Sequence, residues 1–228
     1  KGFFPRFVAG NVYKDTNSYS ITHSYYDNSK NISKGGYWIN KYEKKLYDSS
    51  VFIPLFVTDD WYTDLKLYPI YSPSNHAMSI KFFNSNGDTL GEKKNFINIS
   101  KTESKYIEIS MNRLIDDINI ENKQNIKGAQ ITLNWDDKNN IPARLKYGLN
   151  IGLKNRKFDL PTNICFAPSV SNINILSKVG AFRWFPLINN FSSYGIVDNS
   201  SFAKNYNKIA LVSALFYNDS KNKIIERD

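Results

Sequence analysis

The stretch from Val51 to Leu90, VFIPLFVTDDWYTDLKLYPIYSPSNHAMSIKFFNSNGDTL, limits the fold more than any other part of the chain. It reads as strand, polar aromatic loop, strand, turn, strand, Asn-Gly turn. Val51 to Val57 is almost continuously apolar and contains Pro54. Such a run is either buried on both faces or an edge strand bent by its proline. Asp64 to Tyr71 alternates, with Leu65 and Leu67 on one face and Lys66, Tyr68 and Ile70 on the other. Pro69 places that strand at an edge or ends it. Asn86-Gly87, directly after the alternating run Ala77 to Phe83, is the strongest hairpin signal in the chain.

The same plan recurs in looser form. Ile209 to Ile225, Tyr19 to Ile32 and Gln130 to Ile141 each pair a strand-like run and aromatics with an Asn-rich turn. Duplication of a strand-hairpin unit would explain this. So would the habit of Asn-rich chains to end strands in Asn turns, and that plainer reading is favoured. The spacing is too irregular for a solenoid.

Elsewhere the expected strands are Lys1–Gly10, Asn17–Tyr26, Phe96–Ile99, Tyr106–Met111, Gly128–Trp135, Arg144–Leu153, Val179–Ile188, Ser193–Asp198 and Ile209–Tyr217. On the second of these, Tyr19, Ile21, His23 and Tyr25 share a face. Asn112 to Ile118 is the one helical candidate, with Leu114, Ile115 and Ile118 three and four apart and Ser110 able to cap. Leu160 to Pro168 holds two prolines and reads as irregular. Lys221 to Asp228 reads as a charged, frayed tail. The expected fold class is therefore all-β: antiparallel sheets forming a β-sandwich or jelly roll, with at most one short helix.

With 228 residues, the chain suits a single domain over 1–228, with a subdomain boundary near 154–168 if there are two. At that length it needs no disulfide or metal for stability. Its only cysteine, Cys165, stands between Ile164 and Phe166 and reads as a small buried hydrophobe. No run approaches the roughly 18 apolar residues of a membrane span. The first residue is Lys1 rather than Met, which reads as a processed or trimmed chain. A removed signal peptide would fit, as would a chosen domain boundary. Together with the β-rich pattern, this gives a secreted, periplasmic or cell-surface protein as the expected location.

The net charge is +9 and lysines carry most of it, in dispersed clusters at 41–45, 93–94, 154–157 and 221–223. That balance permits contact with a polyanionic surface polymer, though a solvated surface is the plainer account. A lysine-dominated, arginine-poor charge disfavours specific base readout in nucleic acid. Trp38, Trp184, Tyr37 and Tyr62 could stack on bases, but aromatics more commonly pack on a sheet.

Thr58-Asp-Asp-Trp-Tyr-Thr-Asp64 is the sharpest local feature. Asp59, Asp60 and Asp64 accept hydrogen bonds from hydroxyls, and Trp61 and Tyr62 offer faces to sugar CH groups. These five are the candidate ligand-binding residues, and a glycan is the first ligand class. Calcium is the one cofactor the acids would suit, but the spaced carboxylate pattern of a calcium loop is missing. The competing account buries Trp61 under the loop and spends the acids on turns. Asp136-Asp137 after Trp135 is a second acidic turn, and Asp116-Asp117 reads as helix-surface charge. Neighbouring acids on one turn do not set the cross-cleft spacing of glycoside hydrolysis. No phosphate loop, metal-spaced His/Cys set or nucleophile elbow is present, and no catalytic residue is assigned. The expectation is a binding protein, an adhesin-like or carbohydrate-binding surface module. The alternatives are a structural subunit self-assembling through strand edges, with Lys1–Gly10 as a strand to donate, and a carbohydrate-active hydrolase or lyase.

Overall fold

A computed structural model describes residues 6–14, 18–25, 38–40, 48–69, 74–137, 139–142, 145–155, 159–166, 211–218, 220 and 223–227. The expected strands Val179–Ile188 and Ser193–Asp198, with Trp184, Tyr37 and the lysines at 41–45, lie outside these residues, as do the side chains of His23 and Trp38. The chain forms two compact units, Lys1–Asn172 and Ile173–Asp228.

The first unit is built on two four-stranded sheets. One runs in the order β4 (Ser50–Pro54), β9 (Gly128–Trp135), β6 (His76–Phe83), β7 (Thr89–Ile99). The other runs β12 (Asp159–Phe166), β11 (Leu145–Leu153), β5 (Trp61–Leu67), β8 (Ile107–Ser110). Two smaller pairs join β1 (Arg6–Tyr13) to β2 (Ser18–Tyr25) and β3 (Trp38–Asn40) to β10 (Asn140–Pro142). Every pairing among the described residues is antiparallel. Helix α1 (Met111–Asp117) follows β8, and a single 3-10 turn covers Lys123–Asn125. The protein is all-β and sandwich-like, with one short α-helix among the described residues.

Alternation builds the core. Ala129, Ile131, Leu133 and Trp135 of β9 are buried, while Gly128, Gln130, Thr132 and Asn134 are half-buried on the other face. Met78, Ile80 and Phe82 stand beside them from β6. Leu65 and Leu67 of β5 and Tyr147, Leu149 and Ile151 of β11 belong to the same hydrophobic core. His76 links the two sheets: its ring stacks on Trp135 at 4.3 Å, and its Nε2 lies 3.3 Å from the Tyr147 hydroxyl. Burial lowers its pKa to about 4, against a smaller raising pull from Asp136.

The proline positions follow from sheet order. Pro54 ends β4, which among the described residues pairs only with β9 and so forms an edge. Pro161 lies within β12, also an edge, opposite Asn150 of β11. The segment read as irregular is thus a strand, because an edge strand need not donate on its outer side. Cys165 is exposed rather than buried. On β12, Ile164 and Phe166 turn toward the core, and a period of two sends Cys165 the other way. The expected tail at 221–228 is also ordered differently: β14 (Lys223–Arg227) pairs with β13 (Ala214–Tyr217), Phe216 opposite Ile225, forming the described part of the second unit.

The Asn-Gly signal produces the β6–β7 hairpin. The Gly87 N–H donates to the Asn84 carbonyl at 3.1 Å, and Gly87 takes φ +83°, a conformation that favours glycine. The Asn84 side chain accepts from the N–H groups of Asn86 and Asp88, both at 2.9 Å. Farther along β7 the register slips, and Asn95 adopts φ +47°. Its N–H donates to Ser79 Oγ at 3.0 Å, and Asn134 Nδ2 bonds both Ser79 Oγ and Asn95 Oδ1. Three strands thereby hold the bulge in place.

Candidate ligand cleft

The candidate site is organised by β5. Its alternation sends Thr63, Leu65 and Leu67 to the core side and Tyr62, Asp64 and Lys66 to the opposite face. The expected polar loop is shorter than the sequence suggests, because Trp61, Tyr62 and Asp64 already belong to the strand. Of the five, Asp59 and Asp60 occupy the bend that begins at Thr58, and both are exposed. The Lys154 N–H donates to the Asp60 carbonyl at 2.8 Å and closes that end of the sheet. Trp61 is half-buried and packs on Phe56, with ring centroids 5.2 Å apart. The five candidate residues therefore separate into three places: solvent, the core side, and the far face of β5. Trp61 and Tyr62 do not share a platform, since strand neighbours point to opposite faces.

The far face is polar yet largely buried. The Tyr62 hydroxyl donates to the Asp159 carboxylate. Lys66, only 4% exposed, pairs with Glu108 and lies 3.7 Å from Asp64. Asn150, fully buried, stands opposite Asp64 in the register with β11. Buried charge is tolerated when it is paired, and Lys66 serves two carboxylates here. Tyr106 donates to Glu108 at 3.3 Å, and its hydroxyl pKa is raised, first by burial and then by the Glu108 charge.

The β8 ladder stops at Ser110, opposite Asp64. Past that point the Asn112 side chain of α1 substitutes for a strand: its Nδ2 donates to the Trp61 carbonyl at 3.1 Å, and its Oδ1 accepts from the Thr63 N–H at 3.4 Å. Ser110 occupies the N-cap position of α1, but its hydroxyl makes no capping bond. The helix begins one residue earlier than its apolar spacing suggests because Met111 is buried in the core.

Between the edge of one sheet and the edge of the other lies a cleft of about 810 Å³. All four residues of β8 line it. Lys93, Phe96 and Ile97 come from β7, and Arg113, Leu114 and Asp117 from α1. Tyr62 and Asp64 enter from β5, and Lys154 from the turn after β11. Two of the five residues singled out in the sequence thus reach the cleft. Comparison with family models, curated proteins and solved structures finds no match.

The charges in the cleft are unequally satisfied. Lys66 neutralises Asp64 and Glu108, and Lys93 lies 3.8 Å from Asp117. Arg113 and Lys154 have no ion-pair partner among the described residues. The cleft therefore offers two unmet cations, carboxylate oxygens already held by lysine, and an aliphatic wall from Ile97, Ile107, Ile109 and Leu114. Sequence reasoning gave no signal for Glu108 or Arg113, which reach the cleft only because β8 and α1 fold beside β5. Lys93 and Lys154 were visible as members of short basic clusters, without any indication that they face one cleft. Among the described residues no three His, Cys, Asp or Glu side chains converge as metal ligands, and no helix is long and apolar enough to cross a membrane.

Proposed function

We propose that the protein is a non-catalytic, exported or surface-associated binding protein that takes an extended surface polymer into the cleft between β7 and β8. One observation carries this reading: the cleft follows the whole of β8, and it is lined by two cations, Arg113 and Lys154, that have no ion-pair partner among the described residues. Its volume falls in the range of ligand sites. The carboxylates that would do acid–base work, Asp64 and Glu108, share one buried ammonium, which favours holding a ligand over hydrolysing it. An aromatic sugar platform at Trp61 and Tyr62 has less support, since the two rings face opposite ways. A net charge of +9 adds a general attraction for anionic polymers.

The test is calorimetric titration of the full chain against acidic oligosaccharides and acidic peptides at low and physiological salt. The expected result is binding that persists in salt and weakens at least tenfold, about 1.4 kcal/mol, in the double variant Arg113→Ala, Lys154→Ala. Loss of binding in Asp59→Asn, Asp60→Asn instead would return the site to the exposed bend. Binding that vanishes with salt and ignores both variants would reduce it to lysine electrostatics.

A further inference from the structure

We propose that the cleft ligand is an extended, carboxylate-bearing polypeptide segment that adds to the second sheet as a strand beside β8. This rests on the reading of the cleft as a binding site and names its occupant.

The backbone of β8 is the first ground. Among the described residues, Ile107–Ser110 pairs only with β5, so β8 is the terminal strand of its sheet. Residues of an antiparallel strand direct their N–H and C=O groups alternately to the two sides. Half of β8 therefore presents donors and acceptors on the side away from β5, and all four of its residues line the cleft. A row of such groups at strand spacing is the recognition surface of strand addition. Its four residues span roughly 13 Å.

The side chains give the pattern of the occupant. Ile107 and Ile109 are half-buried and pack against the core; Glu108 stands on the other face, exposed. An added strand extends both rows, because neighbouring strands keep their faces in step. Every second side chain of the ligand then meets the aliphatic wall of Ile97, Ile109 and Leu114. The others face the charged rim.

Charge complementarity supplies the sign. Glu108, Asp64 and Asp117 are each within 4 Å of a lysine, whereas Arg113 and Lys154 are not paired among the described residues. Carboxylates at the rim positions would complete both cations, and a guanidinium can hold a carboxylate through two parallel bonds. A uronate polysaccharide would answer the charges but would leave the backbone row and the aliphatic wall unused.

The probes are a capped peptide alternating Val and Glu, the same peptide with alternate backbone amides N-methylated, and a polyuronate oligosaccharide of equal charge. Each is titrated into the full chain, with hydrogen exchange followed at Ile107–Ser110. The expected result is that the plain peptide binds and protects the β8 amides, that methylation weakens it more than tenfold, and that Arg113→Gln weakens it several-fold. Equal binding of the methylated peptide overturns strand addition while leaving the cleft as a binding site. Binding of the uronate alone, lost in Arg113→Gln, also overturns it and keeps the cleft. Binding of none of the three probes overturns both.

Discussion

The β6–β7 and β13–β14 hairpins are written in similar terms: an apolar run ending in two adjacent aromatics, Phe82-Phe83 or Phe216-Tyr217, then an Asn-rich turn. Both close as antiparallel pairs. In the first, Phe82 is fully buried. In the second, Phe216 is 36% exposed, Leu215 45% and Ile225 44%. The difference lies in what flanks each pair. β6 is laddered on both sides, by β7 and β9, and its inner face meets a second sheet; β13 pairs only with β14 among the described residues. Local sequence makes a hairpin in either place, and the partners of its faces decide what each residue is worth.

That contrast can be broken by substitution. Phe82→Ala should cost about 3–5 kcal/mol, through lost burial and the cavity left behind, measured by urea unfolding. A cost below about 1 kcal/mol would mean that the β6 face is no better packed than β13.

The next effect is a pH dependence at the start of β6. Burial lowers the His76 pKa from 6.5 to about 4, so the ring is held neutral in the fold at neutral pH. Above pH 6.5 both folded and unfolded states are neutral there and the full stability is present. As the pH falls from 6.5 through 4, the unfolded chain takes up the proton first, and stability drops by about 3 kcal/mol. Stability curves of wild type and His76→Gln between pH 7 and 4 should differ by this slope. Parallel curves would show that the ring is not held neutral.

Smaller still is Gly87→Ala. The space around Gly87 is open, so only the positive φ resists a side chain. The expected loss is about 1 kcal/mol. Phe216→Ala should fall below about 1 kcal/mol, since that ring is partly in water already. A loss as large as that of Phe82→Ala would place a hidden partner over the β13 face.

Much of the framework was legible because it rests on local rules. A strand-like run marked β9, alternation separated Leu65 and Leu67 from Lys66 on β5, Asn86-Gly87 gave the β6–β7 hairpin, and an edge strand was one of the two readings of the run around Pro54. The misreadings have one origin. Leu160–Phe166 and Lys223–Arg227 are strands because particular neighbours pair with them, and Cys165 is exposed because of the face it was dealt. The candidate site was less legible than the fold. The acidic-aromatic stretch drew attention to Tyr62 and Asp64, which do reach the cleft. Glu108, which shares Lys66 with Asp64, and Asn150, opposite Asp64, lie 44 and 86 residues from it along the chain; Asp159, bonded to Tyr62, lies 97 residues away, and no local pattern ties them together.

The sequence by itself determined where this chain extends, where it turns and which side chains alternate, because backbone sterics and a period of two act between near neighbours. Only the tertiary structure decided that one face of β5 would bury a lysine between two carboxylates and that β8 would end its sheet beside a cleft. Those outcomes depend on strand order, which is set by the summed burial of residues far apart in the chain rather than by any one segment.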